Sequence, residues 1–479
     1  MEVKDLNPKI LWNNFSELNA VPRPSKKEEK VIAFTKSLGE RLGLETIVDK
    51  VGNVIIKKPA TVGMENRKTV ILQSHLDMVC QKNNDTVFDF ENQGIEMLIE
   101  GDWVTANGTT LGADNGIGCA AIMSVLESNN IQHPAIEALF TIDEETGMTG
   151  AFGLEGGLLE GEILLNLDTE DDDEFSIGCA GGIDTNTYFK YEQVEPTGHA
   201  YKIEVKGLKG GHSGMDIHLE RGNANKIMNR LLIDEKDHDL RICSIDGGSL
   251  RNAIPRESIA TIAVSNGEYI LDFEKRKNEI LGELAISDPD TSITIESIDM
   301  PELAMSVEDS TKLTNTLQAV HNGVFKMSLA INGLVETSSS LARVIVSNGE
   351  FKTQSLQRSS LDTGKMEVAR TVGAAFRSMG CEVEHTGSYP GWAPNPKSEI
   401  LDIMKAKYES KFNSSPRVQA CHAGLECGIL GLNYPGLDMI SFGPTIRNPH
   451  SPDEKVNIKT VEKFWDFLLD VLADTPIKN

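Results

Sequence analysis

VILQSHLD, residues 70–77, opens on a continuous apolar run and closes on a histidine and an aspartate two residues apart. An apolar run without alternation reads as a strand buried on both faces, the habit of parallel sheets. Two later segments share that texture. IEALFTI (136–142) runs into Asp143-Glu144-Glu145-Thr146-Gly147, and ILLNL (163–167) runs into Asp168. Between the first strand and the second stands GIGCAAIMSVL (116–126), read as a helix rich in small residues. Strand, helix and strand at this spacing predict an α/β sheet with helices on its faces. The carboxyl ends of strands border the functional crevice of such a sheet, and there the histidine and the acids stand.

Working outward, a leading helix is expected around residues 10–18, a second helix from about Ser25, and a short strand at 52–57 (GNVIIK). From about Asn186 the texture changes to alternating strands at 200–206, 258–264 and 292–298. Helices are expected at 223–232, 310–320 and 365–378, and a strand at 381–385. Alternation predicts a sheet with one face exposed and helices on the other. After PGWAPNP (390–396) buried-strand texture returns at 437–442, and a helix at 460–472 closes the chain. The simplest organisation is a first domain in two parts, 1–186 and 389–479, interrupted by an inserted α+β domain at 187–388.

A chain of 479 residues favours two domains over one core. No run of about eighteen apolar residues occurs, which argues against a spanning helix. The first residues lack the apolar core and cleavage site of a secretion signal. Seven cysteines without framework spacing suit a reducing cytoplasm. The formal charge of -26 disfavours nucleic acid and anionic membrane as partners.

Two further candidates join those at the strand ends. Asp114 stands in LGADNGIG (111–118), and His450 in RNPHSPDE (447–454). Each has a commoner reading when taken alone: a capping histidine, a turn aspartate, a solvated Glu-Glu pair. Together, two histidines and several carboxylates on one sheet match a divalent metal site, because imidazole and carboxylate suit zinc, with cobalt or manganese as substitutes. Burying so many carboxylates is costly without cations. Asp77 lies on the same side of an extended chain as His75 and is placed to orient its ring.

The series H-L-D (75–77), G-A-D-N-G (112–116), D-E-E-T-G (143–147), N-L-D (166–168) and N-P-H-S-P-D-E (448–454) resembles the co-catalytic di-zinc peptidases that include carboxypeptidase G, carnosinase and peptidase V. Within them it is most similar to the aminoacyl-histidine dipeptidase branch. The likeness runs nearly the full length and takes in GGHSG (210–214) and HAGLECG (422–428). The resemblance implies a mixed-sheet catalytic domain with an inserted lid domain that mediates homodimers. It makes Asp114 the carboxylate shared by two metal ions, one also bound by His75 and Asp168, the other by Glu145 and His450. Glu144 becomes the general base that accepts a proton from a metal-bridging hydroxide precursor, and Asp77 holds the His75 ring. His212, Asn252 and Arg358 correspond to lid residues that reach the substrate.

A dipeptidase must recognise a free α-amine and a free α-carboxylate. Glu426 is the candidate for the first, and Arg358 or Arg447 for the second. The activity implied is metal-dependent cleavage of small unblocked dipeptides of Xaa-His type. An N-acyl amino acid deacylase or a tripeptidase with the same metals, or a catalytically silent metal-binding scaffold, are the competing readings. No G-x-S-x-G elbow supports a serine hydrolase.

Overall fold

Four parallel strands form the centre of the first sheet: β1 (Val70–His75), β2 (Ile136–Thr141), β3 (Ile163–Asn166) and β4 (Asp438–Ser441). They belong to a computed structural model that describes residues 2–83, 85–233 and 238–478. β1 lies between β2 and β3, and β4 lies beyond β3. Every residue of β1, β2 and β3 is buried, as apolar strands without alternation require. Flanking strands complete an eight-stranded mixed sheet: Val54–Lys58 and Glu45–Val48, antiparallel, beside β2, and Glu174–Cys179, antiparallel to β4, with Arg417–Cys421 beyond it.

Helix α1 (Ala113–Glu127) is apolar all round and buried almost throughout. Small residues let it lie against the strands. A Cβ on Gly118 would stand 2.4 Å from the Leu167 carbonyl and 2.5 Å from Ser74 Oγ. The amphipathic helix Lys9–Asn19 packs on α1, burying Leu11, Trp12, Phe15 and Leu18, and Asn14 Nδ2 donates to Ser124 Oγ at 3.0 Å. Each such apolar side chain removed from water contributes roughly 1.5–3 kcal/mol. The last helix, Ile458–Ala473, is capped by Asn457, whose side chain accepts from the Lys459 and Thr460 N–H groups. This unit takes in the chain up to Gly178, Pro394–Ala420 and the chain from Leu425 onward.

The second unit, Cys179–Ala393 with Cys421–Gly424, is inserted into the first along the chain. Its antiparallel sheet runs Ser292–Ser297, His199–Lys206, Ser258–Val264, Arg241–Gly247, Val335–Ser347, Glu350–Ser359, Gly181–Lys190, Glu382–Tyr389, with Gly323–Met327 also beside Val335–Ser347. Helices Ala224–Leu232, Tyr269–Leu284, Val307–Ala319 and Asp362–Met379 join it through one apolar cluster that includes Ile203, Ile262, Phe273, Leu313, Phe351 and Phe376.

The helix expected from Ser25 begins at Glu29. Ser25 and Glu28 are committed elsewhere: Ser25 Oγ donates to Asp77, and Glu28 accepts from the Lys26 and Asp143 N–H groups. The second unit begins eight residues ahead of the expected 187, because Gly181–Lys190 pairs with both Glu350–Ser359 and Glu382–Tyr389. Among the described residues no helix is long and apolar enough to cross a membrane.

Candidate metal centre

His75 is the last residue of β1, level with Thr141 at the end of β2. Asp143-Glu144-Glu145 follow β2, and Asp168 follows β3, where the Leu167 N–H still donates to the Gln73 carbonyl. Parallel register therefore delivers three ligand-bearing segments to one edge. Asp114 arrives at the head of α1, and His450 from the loop after β4.

The two oxygens of Asp114 face different histidines. Oδ1 lies 3.2 Å from His75 Nε2, and Oδ2 lies 3.3 Å from His450 Nε2. His75 Nε2 is also 3.8 Å from Asp168 Oδ1, and His450 Nε2 is 3.0 Å from Glu145 Oε2. One donor atom each from His75, Asp114 and Glu145 lies within 4.8 Å of the others. Glu145 Oε1 is buried without a hydrogen-bond partner. The donor set fits a pair of divalent cations: imidazole nitrogens and carboxylate oxygens, one carboxylate divided between two groups, and a buried oxygen without a partner.

Electrostatics point the same way. Burial and then the neighbouring Asp114 carboxylate push the Asp168 carboxyl up to about 8, against His75 and an Asn115 hydrogen bond that pull it down. Burial opposes charge on His75, yet Asp168, Asp114 and Asp77 outweigh it and raise the imidazole well above its usual range. Hydrogen bonds that its ring donates to Asp114 and Glu145 lift His450 to about 11. Ligands of a divalent cation must be deprotonated, so a cation bound here would compete with protons at Asp168 and the imidazoles.

The ring of His75 is fixed from behind. Its Nδ1 lies 3.1 Å from the Asp77 carbonyl and 3.4 Å from Asp77 Oδ1, leaving Nε2 to face Asp114. Asp77 itself accepts from Ser25 Oγ at 2.8 Å and from the N–H groups of Glu144 and Glu145 at 3.0 and 3.2 Å. Although burial pushes it up, these bonds and His75 hold its carboxyl at about 2. Glu144 therefore presents its side chain from an anchored backbone, and burial raises its carboxyl well above the usual range. The adjacent Asp143 and the ligand candidate His450 both take left-handed φ angles, 53° and 61°. Strain of that kind concentrates at functional sites.

Glu426 is buried at the head of helix Glu426–Asn433. Its Oε2 accepts from Gln73 Nε2 at 2.6 Å and Thr141 Oγ1 at 2.7 Å, while Oε1 has no partner. Burial pushes its carboxyl up to about 7. Arg447 is already engaged: its guanidinium donates to Asp171 Oδ1 at 2.6 Å and to the Glu170 carbonyl at 2.8 Å.

In the inserted unit His212 and Arg358 come together, His212 Nε2 lying 3.4 Å from Arg358 Nη2. Arg358 is buried, donates to Tyr389 Oη at 2.8 Å, and leaves Nε without a partner. Burial, then Arg358, lowers His212 to about 4 and His422 to about 3, so both rings are neutral and the guanidinium carries the charge. His212 Nδ1 accepts the Gly214 and Met215 N–H groups. Asn252 is exposed, and its carbonyl accepts the Ser213 N–H at 2.8 Å. It supports the loop of His212 through its backbone.

Three residues with no role in the sequence reading touch the ligand segments. Asn115 Nδ2 donates to Asp168 and to the Leu167 carbonyl. Arg23 and Glu454 grip the backbone around His75 and Asp114. Asn115 and Glu454 lie inside the quoted motifs; Arg23 carries no signal but its place between two prolines.

Residues 71–474 match the pattern of Peptidase family M20/M25/M40. The chain is 42% identical, over 100% of both sequences, to the cytosol non-specific dipeptidase of Escherichia coli (strain K12). It superposes on the crystal structure of aminoacylhistidine dipeptidase from Vibrio alginolyticus with a TM-score of 0.95 and 44% identity, covering 100% of this chain and 99% of that one. Aminopeptidase PepT from Bacillus cereus shares the fold at 17% identity and a TM-score of 0.58, covering 98% and 99%.

Proposed function

The chain belongs to Peptidase family M20/M25/M40, and from that premise we propose that it hydrolyses the peptide bond of small unblocked dipeptides, Xaa-His among them, with two divalent cations of the zinc type. The observation that carries this reading is the division of Asp114, one oxygen toward His75 and the other toward His450. His75 and Asp168 would hold one cation and His450 and Glu145 the second, with Asp114 shared between them; cobalt or manganese suits the same donors. When bound, such a pair polarises the scissile carbonyl and acidifies a water.

The protein's own groups do the rest. Glu144 takes the proton of the attacking water on its carboxylate and returns it to the leaving amine, acting as base and then acid. Asp77 fixes the His75 ring, so that Nε2 faces Asp114 and would be free to bind a cation. In the inserted unit Arg358, with no carboxylate bound to it and one N–H unpaired, suits the substrate α-carboxylate, and neutral His212 beside it can donate to a carbonyl oxygen. Arg447, bound to Asp171, is less suited. Glu426 Oε1 is the acceptor offered to the α-ammonium. We place the protein in the cytoplasm, as its Escherichia coli relative is named, and as a homodimer through the inserted unit, where Leu271, Ile286 and Leu329 stand exposed.

The test is hydrolysis of β-Ala-His, Gly-His, Leu-Gly and an N-acetylated dipeptide before and after chelation and zinc or manganese add-back. Cleavage of the free-amine dipeptides, lost on chelation and restored by metal, supports the reading. Cleavage of the acetylated compound alone replaces it with a deacylase.

A further inference from the structure

Arg23 and Glu454 are buried, 1% and 2% exposed, and neither is bound to an oppositely charged side chain in the usual way. Each spends its charge on backbone. Glu454 accepts four consecutive N–H groups: Leu111 and Gly112 on Oε2 at 2.8 Å each, Ala113 and Asp114 on Oε1 at 2.8 and 3.1 Å. Arg23 takes the carbonyl side. Its Nη2 donates to the Gly112 carbonyl at 2.6 Å and to Asn19 Oδ1, and its Nη1 to the Leu76 and Asp77 carbonyls at 3.1 Å each. Gly112 is therefore held by an anion through its N–H and by a cation through its C=O.

The glycines of this segment follow from the grip. Gly112 has φ 69°, and a Cβ there would stand 2.4 Å from Arg23 Nη2 and 2.9 Å from Met78 Sδ. A Cβ on Gly116 would stand 2.7 Å from the same nitrogen. The sequence thus keeps side chains away so that a guanidinium can reach main chain.

What the pair connects is specific. Leu76 and Asp77 follow His75; Gly112 and Ala113 precede Asp114; Glu454 is four residues beyond His450. We propose that Arg23 and Glu454 act as positioning residues, a buried cation–anion clamp that sets the spacing of the His75, Asp114 and His450 segments and thereby the geometry of the metal pair. This rests on the metal reading of the site. Charge-assisted hydrogen bonds to backbone are short and directional, and four of them on one carboxylate fix a peptide segment more tightly than packing alone. Partners that orient ligands in this way typically change metal affinity or activity by about 10–100-fold when removed.

The test is cobalt titration of the metal-free full-length protein, read by visible absorption and by calorimetry, for wild type, Glu454→Gln, Glu454→Asp and Arg23→Lys. Glu454→Gln keeps the shape but turns an amide NH₂ toward two N–H donors. It is expected to stay folded, bind cobalt about 10–100-fold more weakly with an altered ligand-field spectrum, and lose kcat while KM for a dipeptide holds. Arg23→Lys, which keeps charge but loses the fork, is expected to act in the same direction, and Glu454→Asp to recover part of the spectrum. Wild-type cobalt affinity and spectrum in folded Glu454→Gln overturn the clamp. So does loss of the fold in both Glu454→Gln and Arg23→Lys, which makes the pair a folding element. Failure of the wild-type protein to bind cobalt overturns the metal reading itself.

Discussion

The two units carry sites of opposite character. The first gathers Asp114, Glu145, Asp168, His75 and His450 at one edge of the sheet, where burial and then the Asp114 carboxylate raise the Asp168 carboxyl to about 8. The second gathers a buried arginine with two neutral histidines, His212 near 4 and His422 near 3. Each is costly to bury uncompensated, crowded carboxylates in one and a guanidinium in the other. The contrast teaches why the reading proposed above divides the work: the acids and imidazoles of the first unit would serve metal, and the guanidinium of the second a carboxylate.

Removing the shared ligand attacks that contrast most directly. Asp114→Ala is expected to strip both cations and abolish turnover; two tightly held ions by elemental analysis would refute the division of its oxygens. Glu144→Gln comes next, lowering kcat by on the order of 10²–10⁴ while both metals stay bound, which a paired assay of turnover and metal content checks. On the other side, Arg358→Ala leaves metal content alone. Losing a buried charged donor to the substrate carboxylate costs about 2–5 kcal/mol in kcat/KM, and a dipeptide amide lacking that carboxylate should be insensitive to the change. Glu426→Gln is expected to be milder, about 10–100-fold against free-amine dipeptides, from the loss of one charged hydrogen bond, with N-acetylated compounds unaffected.

The smallest effect is on stability. His212 and His422 titrate lower when folded than the usual 6.5. Between about pH 6.5 and 3 the unfolded chain therefore binds protons that the folded unit refuses, and stability falls as pH falls through that window. Denaturant unfolding at pH 7 and pH 4.5 measures it, and His422→Gln should flatten the difference.

The first unit was the more legible in sequence. β1, β2 and β3 announce themselves because a strand covered on both faces must be apolar at every position, and the ligand candidates stand directly after them. The inserted unit hid its centre. Val335–Ser347 and Glu350–Ser359 carry hydroxyls and amides at buried positions, a composition that reads as loop. Their polar side chains are satisfied across strands: Thr337 with Ser359, Thr187 with Thr353, Thr185 with Gln357. Pairing of that kind leaves no trace in hydrophobic periodicity. The acidic run at 171–174 is laced to Arg417, Arg447 and Lys463. Arg23 stayed hidden for the same reason, since its partners are main-chain carbonyls that any sequence supplies.

Access to water separates the two histidines of the metal centre. The His75 side chain is 1% exposed and that of His450 is 52% exposed. Ligand exchange begins with one donor swinging free, and only the outer histidine has solvent to swing into. The proposed pair is therefore unequal in lability: a chelator would empty the His450 side within a first, rapid phase and the His75 side in a later one. Between the two phases lies a half-loaded protein into which a different metal can be admitted, giving each position its own spectroscopic label.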